Sequence, residues 1–181
     1  MKAVFLRTCT LLLAASLAGC ATTGGGNAAG GMDVTTSHLG QPIARGQIAV
    51  EAFDPADVNL PEFPAYAATV ARELTRLGWT VVGTVGQSEQ VALIDVQQGS
   101  RASLRGHLGG NAAAGASAGT ATLLEVRIRR RSDGTVVWEG RAIADGSAAT
   151  APAERTAAVD RLAAALFRDF PGISARTIRA R

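Results

Sequence analysis

The residue with the most specific chemistry in this sequence is Cys20, which closes the tetrad Leu17-Ala18-Gly19-Cys20. The small residues Ala18 and Gly19 let the backbone lie extended in a signal peptidase, and the cysteine thiol can be alkylated by a diacylglycerol group before cleavage. We therefore predict lipid attachment at Cys20, with acyl chains such as palmitate as the membrane anchor. Three acyl chains on one cysteine exceed the two signals that stable anchoring requires.

The residues before this cysteine have the parts of an export signal, with Lys2 and Arg7 followed by an apolar run from Leu11 to Leu17. That run is much shorter than the roughly 20 residues that cross a bilayer, which argues against a transmembrane anchor. The sequence therefore predicts a signal peptide over residues 1–19.

Few residues could support nucleophilic or metal-binding chemistry. Cys9, the other cysteine, lies within the signal peptide, and the two histidines are His38 and His107. Both histidines fall in segments that we predict to be mobile, so neither a Ser-His-Asp site nor a zinc site would have an ordered imidazole. We predict no catalytic residues, no metal and no cofactor.

Paired carboxylates are the remaining route to an enzyme, because general acid and base catalysis can use two acids in a cleft. Glu125 and Glu139 have arginines at the positions expected to face them across a hairpin, and Asp54 and Asp57 lie in a proline-rich segment where Asp commonly forms turns. Asp95 alternates with apolar residues and is expected to be half-buried. We interpret all five as structural.

Arg129, Arg130 and Arg131 form a run of basic residues. Strand alternation places Arg129 and Arg131 on the outer face of a sheet and Arg130 near the end of the inner face, where its long side chain can reach solvent. We interpret the run as a solvated strand end, with contact to an anionic lipid or polymer as the alternative. Export argues against nucleic acid as a partner.

Charge and size are consistent with one exported domain. The 181 residues include 18 Lys and Arg against 15 Asp and Glu, and removal of the signal with Lys2 and Arg7 leaves a nearly neutral protein. Residues 20–40 are the lipidated cysteine and a tether of mostly small and polar residues, which we expect to be flexible. Residues 41–181 have a suitable length for a single domain.

Hydrophobic periodicity predicts the first elements of that domain. Residues 47–53 form a strand pattern, and a helix follows that Gly78 ends, with Trp79 placed to pack on its last turn. The apolar face of this helix consists of Tyr66, Val70, Leu74 and Leu77. Strand patterns follow over residues 80–85 and 90–97. The segment 99–119 is mostly Gly, Ala and Ser, which predicts a long flexible loop.

The clearest pattern is a hairpin over residues 121–145, in which apolar and charged residues alternate. A three-residue turn, Ser132-Asp133-Gly134 with Gly134 in the left-handed conformation, keeps charges off the apolar face, whereas a two-residue turn does not. The three-residue turn also pairs opposite charges twice across the strands. The predicted pairs are Ile128 with Trp138, Val126 with Gly140, Arg127 with Glu139, and Glu125 with Arg141.

A last amphipathic helix begins near Thr150, and Pro171-Gly172 ends it. Its apolar face consists of Val159, Leu162, Leu166 and Phe170. The predicted order is strand, helix, strand, strand, long loop, strand, strand, helix. It indicates an α+β domain with an antiparallel or mixed sheet of about five strands and two helices packed on one face.

Two segments carry a resemblance to a known family, together with the cysteine tetrad and the tether. They are Arg130–Arg141 (Arg-Arg-Ser-Asp-Gly-Thr-Val-Val-Trp-Glu-Gly-Arg) and Leu166–Gly172 (Leu-Phe-Arg-Asp-Phe-Pro-Gly). The chain resembles, over most of residues 45–178, the small bacterial lipoproteins catalogued as domain of unknown function 4136. The resemblance implies an envelope address and an α+β fold, and it assigns no catalytic residues.

We therefore expect a non-catalytic binding or structural module at the outer membrane, with its domain facing the periplasm. Ala21 supports this address, because an Asp after the cysteine would favour retention in the inner membrane. The expected partners are the membrane, through the lipid on Cys20, and an envelope protein or lipid. The alternatives are a periplasmic hydrolase and an auxiliary lipoprotein of a lipid-transport system.

Overall fold

The computed structural model describes residues 32–83, 88–108, 119–146 and 151–180, which form one mixed sheet of seven strands and three α-helices. The elements are β1 (Met32–His38), β2 (Gln47–Ala52), α1 (Phe63–Arg76), β3 (Thr80–Val82), β4 (Gln90–Ser100), α2 (Arg101–Arg105), β5 (Thr120–Arg130), β6 (Val136–Asp145), α3 (Pro152–Leu166) and β7 (Arg176–Ala180). Short 3-10 helices cover Pro55–Asn59 and Gly106–Leu108. The predicted α+β class is confirmed.

The strands lie in the order β3-β2-β4-β5-β6-β1-β7. β2 pairs in parallel with β3 and β4, and all other neighbours pair antiparallel. The connection from β2 to β3 runs through α1, as a parallel pair requires a crossover. The prediction of five strands and two helices is wrong, because it lacked β1, α2 and β7.

The first strand occupies part of the expected tether. β1 pairs with β6 along its full length, and its first half also pairs with β7. Its side chains Val34 and Thr36 are buried, and such β-branched residues suit a pleated surface. The prediction that residues 20–40 are a flexible tether is therefore wrong for residues 32–38. Residues 20–31 lie outside the described residues.

The two long helices, α1 and α3, pack on one face of the sheet, as predicted. We call this the inner face, and its core includes Trp138 and Phe167, which are fully buried. A polar contact also joins the helices, since Thr69 Oγ1 and Arg72 both donate to Asp160 Oδ1. The hydrogen bond from Thr69 is the main cause that lowers the pKa of Asp160.

The end of α1 is as predicted. Gly78 has φ of +98°, and the backbone N–H of Trp79 donates to the carbonyl oxygen of Leu74 at 3.0 Å. This hydrogen bond belongs to a Schellman motif, in which the residue after the glycine packs back on the helix. Trp79 is accordingly buried in the core.

The end of α3 differs from the prediction. The helix ends at Leu166, and Phe170 lies in the turn that follows it. In this turn the carbonyl oxygen of Pro171 accepts a hydrogen bond from the Trp138 indole N–H at 3.0 Å. A carbonyl inside a continued helix would instead accept the N–H four residues along the chain. The prediction that the helix extends to Pro171-Gly172 is therefore wrong.

The β5–β6 hairpin has the predicted register over most of its length. Ile128 lies opposite Trp138, both predicted charge pairs lie opposite each other, and Gly134 has φ of +71°. A bulge between Ile128 and Arg129 shifts the pairing near the turn, so that Arg129 lies opposite Val136. The predicted register places Val137 opposite Arg129, so the prediction did not include this shift.

Candidate functional site

The other side of the sheet, which we call the outer face, is covered at one end by α2. Leu104 and Leu108 pack there against Leu123 and Ile143. The prediction that the segment 99–119 is a flexible loop is therefore wrong for residues 99–108, because apolar side chains hold this part on the sheet. Residues 109–118 lie outside the described residues.

Beyond α2, the outer face carries a set of charged side chains on neighbouring strands, which we call the open face. Its charged residues are Glu51, Asp95, Glu125, Arg127, Arg129, Arg131, Glu139 and Arg141. All of them are partly exposed except Glu125, which is buried. Acids and arginines are equal in number, so the open face has no net charge.

Four of these side chains form a closed ring of ion pairs. Arg127 and Arg141 each contact both Glu125 and Glu139, with 3.0 Å between Arg141 Nε and Glu125 Oε2 and 3.3 Å between Arg127 Nε and Glu139 Oε2. The two predicted cross-strand pairs are thus confirmed. Glu125 was expected to face solvent, but only 5% of it is exposed, because both arginines lie against its carboxylate.

The basic run is divided among three environments. Arg130 is exposed and donates to Asp133 in the turn at 2.7 Å. Arg131 pairs with Glu51 on β2, and 24% of its side chain is exposed. The side chain of Arg129 forms no hydrogen bond or ion pair with any residue that the structure describes. The interpretation of the run as a solvated strand end is therefore wrong for Arg131.

Phe53 adds an apolar group beside the ring. It is 47% exposed, and the guanidinium carbon of Arg127 lies 4.4 Å from the centre of its ring. This is a cation–π contact. Asp95, on β4, is half-buried as expected and accepts a hydrogen bond from Gln97 Nε2 at 2.6 Å.

A second group of charges joins α2 to the end of the sheet. Arg101 is 2% exposed and pairs with Asp33 of β1 at 2.8 Å and with Asp145 of β6. Arg105 also contacts Asp33, at 3.2 Å. Sequence reasoning missed this group, because Arg101 and Arg105 lie in a segment that was predicted to be a loop and Asp33 lies in the predicted tether. Leu104 and the leucine four residues later were the available signal of a helical segment.

Both histidines belong to ordered elements, contrary to prediction. His38 ends β1, its Nε2 lies 3.2 Å from the carbonyl oxygen of Gly172, and its Nδ1 accepts from the backbone N–H of Gly40 at 3.1 Å. His107 lies in the 3-10 helix after α2 and is exposed. Within the described ranges, no three His, Cys, Asp or Glu residues are arranged to hold a metal ion.

Asp54 and Asp57 form a turn, as predicted. Asp54 caps the 3-10 helix by accepting a hydrogen bond from the backbone N–H of Ala56 at 2.9 Å. Desolvation raises the pKa of Asp57, and the carboxylates of Asp54 and Asp95 raise it further. The cavity beside Asp57 and Tyr66 holds only about 20 Å³, whereas pockets that bury small ligands have roughly 300–1,000 Å³.

Two further cavities adjoin α3. A cleft of about 260 Å³ lies between its first turns and the end of the sheet, lined by Ala144, Ala158 and Arg161 among others. A cavity of about 30 Å³ lies between its last turn and β7.

In the described part of the chain, no helix is both long and apolar enough to cross a membrane. The predicted lipidation site, Cys20, lies outside the described residues.

Comparison with known proteins supports the fold. No family model matches the chain. The chain is 26% identical over 208 residues to an uncharacterized protein from Zymomonas mobilis, with 81% of this chain and 78% of that protein covered. A PDZ domain protein from Parabacteroides distasonis is similar in structure, with a TM-score of 0.52 and 15% identity, over 83% of this chain and 39% of that chain.

A weaker likeness is found to the PelC dodecamer from Paraburkholderia phytofirmans. Its TM-score is 0.43 at 16% identity, with 72% of this chain and 93% of that chain covered. At these identities, structural likeness concerns the fold and carries no assignment of function.

Proposed function

We propose that this protein is a non-catalytic binding module, anchored to the outer membrane by lipid on Cys20, and that it holds another envelope component against its open face. The observation that carries the proposal is the open face itself. It presents partly exposed arginines and carboxylates on the strands of a packed sheet. Charges fixed in this way select a partner by electrostatic complementarity.

The charges of the open face are ordered before a partner arrives. Each of the four side chains in the ring contacts two others of opposite charge. A binding surface that is already ordered loses less conformational entropy when a partner binds. The open face therefore suits recognition of a folded or extended partner better than a set of mobile surface charges would.

The described residues support binding better than the two alternatives. A hydrolase needs a base or nucleophile beside a cavity for its substrate, but the cavity beside Asp57 holds about 20 Å³. A lipid-transport protein needs room for acyl chains, but the cavity between α3 and β7 holds about 30 Å³. Neither volume suits such a ligand, and the larger cleft of about 260 Å³ beside the first turns of α3 is also below the roughly 300 Å³ at which pockets for small ligands begin.

The substitution Cys20→Ala tests the membrane address. It is expected to convert a protein that requires detergent for extraction into a soluble periplasmic form or an uncleaved precursor, because it removes the thiol that carries the lipid. Membrane fractionation and mass spectrometry of the mature N-terminus measure this. Cys9→Ala, inside the signal, is the control and should leave the address unchanged. A mature protein that begins elsewhere than at a modified Cys20 contradicts the proposal.

Photo-crosslinking in intact cells tests the open face. Ser37 is exposed, lies opposite Glu139 and is on the outer side of β1. We expect a photoreactive amino acid at Ser37 to form a discrete crosslinked product with an envelope component. The control position is Thr75, which is exposed on α1 at the opposite side of the sheet. Equal products from both positions, or none from Ser37, would refute binding by the open face.

A further inference from the structure

The open face contains one arginine without an acidic partner among the described residues, and we propose that its guanidinium group binds a carboxylate of the partner. This residue is Arg129, and the partner of matching chemistry is an acidic protein segment. The inference rests on the proposed function, since it names the group on the open face that contacts the partner.

The surroundings of Arg129 differ from those of the other arginines on its strand. Arg127 and Arg131, two positions away on either side, are both ion-paired. Arg129 lies opposite Val91 on β4 and, because of the bulge, opposite Val136 on β6. Its direct neighbours across both strands are therefore apolar, which leaves its charge without compensation from the neighbouring strands.

The guanidinium group of Arg129 is partly covered and partly accessible. Its Nε is buried and has no hydrogen-bond acceptor among the described residues, as is also true of the Nε of Arg127 and of Arg131, whereas its two terminal nitrogens are not fully buried. The terminal nitrogens are thus the donors that solvent or a ligand can reach. Two parallel N–H donors match the two oxygens of a carboxylate.

The local charge is suited to a single anionic group. Arg127 belongs to the neutral ring, and Arg131 is balanced by Glu51. The remaining acid of the open face, Asp95, lies opposite Glu125, four residues along β5 from Arg129, so the positive charge of Arg129 is not compensated locally. Val91, directly opposite, is fully buried, and an apolar floor strengthens an ion pair by lowering the local dielectric constant. A monoanion, either a carboxylate or a phosphodiester, is the ligand that this charge balance favours.

The position of Arg129 in the sheet favours a protein carboxylate over a lipid headgroup. β1 begins at Met32, which pairs with Ala144 of β6, and Ala144 in turn pairs with Thr122 of β5. Arg129 lies seven residues along β5 from Thr122, about 23 Å at the rise of a strand. Because the proposed anchor at Cys20 precedes β1 in the chain, it is connected to the sheet at the Met32 end, and Arg129 lies at the opposite end of β5.

Binding to a defined probe tests this site. The probe is a fluorescein-labelled peptide in which Glu and Ser alternate, and the same peptide with Gln in place of Glu is the control ligand. We expect the purified full-length lipoprotein in detergent to bind the acidic peptide, and Arg129→Gln to weaken this binding about tenfold, as the loss of a charged hydrogen bond would. Arg161→Gln, on α3 at the inner side of the sheet, removes the same charge and should leave binding unchanged.

Two further measurements separate the outcomes. Melting temperature should not fall in Arg129→Gln, because the substitution breaks no hydrogen bond or ion pair with the described residues. Equal peptide binding by the parent and Arg129→Gln overturns the site. A different outcome is that the parent does not bind the peptide but binds vesicles that contain phosphatidylglycerol, and that Arg129→Gln loses this binding. That outcome would assign the anion to a lipid and overturn the protein partner. If Ser37 still forms its crosslink in cells that carry Arg129→Gln, the site fails while the proposed function stands.

Discussion

Trp138→Ala is expected to lower the free energy of unfolding by about 3 to 5 kcal/mol, as large-to-small substitutions of buried aromatic residues do. Trp138 is fully buried, and its ring lies 5.3 Å from the ring of Phe167 and 5.1 Å from that of Phe170. Its indole N–H also donates to the carbonyl oxygen of Pro171. The substitution therefore leaves a cavity beneath α3 and removes the hydrogen bond that holds the turn after it.

Urea unfolding followed by circular dichroism measures this loss. Val136→Ala is the matched control, because Val136 lies two positions earlier on β6 and is 38% exposed. The control should cost less than about 1 kcal/mol, as most surface substitutions do. Similar losses for the two variants would contradict the placement of Trp138 in the core. Trp138→Phe keeps most of the ring contacts and should retain more stability than Trp138→Ala.

Arg101→Leu is expected to lower the free energy of unfolding by about 3 kcal/mol, because removing one partner of a buried ion pair leaves the other charge uncompensated. The side chain of Arg101 is 3% exposed, and that of its partner Asp33 is 14% exposed. The other partner, Asp145, is 36% exposed, so water can replace part of the lost interaction there. This exposure places the expected loss at the lower end of the range for buried pairs.

The control for this prediction is Arg105→Leu. Arg105 contacts the same Asp33, but its side chain is 31% exposed, so its loss should cost at most about 1 kcal/mol. Denaturant unfolding of both variants measures the difference. Adding Asp33→Asn to Arg101→Leu should restore part of the stability, since it removes the carboxylate that lost its main partner. No difference between the two arginines would contradict the anchoring of α2 by a buried ion pair.

The first prediction for α2 depends on a correction to the sequence-based interpretation of residues 99–108, which belong to the segment 99–119. Its composition of Gly, Ala and Ser predicted disorder, because few large side chains are available to offset the entropy of ordering. Leu104 and Leu108 are nevertheless buried on the outer face. Two leucines and Arg101 are sufficient to hold this segment on the sheet. The sheet already provides an apolar surface for the leucines and the carboxylates of Asp33 and Asp145 for the arginine.

The candidate site was predictable in part. Alternation and turn chemistry predicted that Arg127 faces Glu139 and Glu125 faces Arg141, since the two strands are adjacent in the chain and a short turn sets their register. The closure of these pairs into a ring was not predictable, because it depends on side-chain conformations on one surface. The burial of Glu125 follows from that closure, since both arginines contact it.

Three features were predictable from the amino-acid sequence alone: the α+β class, the register of most of the β5–β6 hairpin and the glycine-capped end of α1. Each of these depends on residues that are close together in the chain, where periodicity and the conformation of one glycine are sufficient. Lipid attachment at Cys20 stays a prediction from the same kind of local pattern.

The places of β1, α2 and β7 were not predictable, because these elements are short and are stabilised by partners far away in the chain. β1 became a strand because β6 and β7 supply its hydrogen bonds on both sides. The bulge near the turn was decided in the same way, since it places Val136 opposite Arg129 where the predicted register places Val137. Long-range pairing of this kind depends on the whole sheet, and no local pattern contains it.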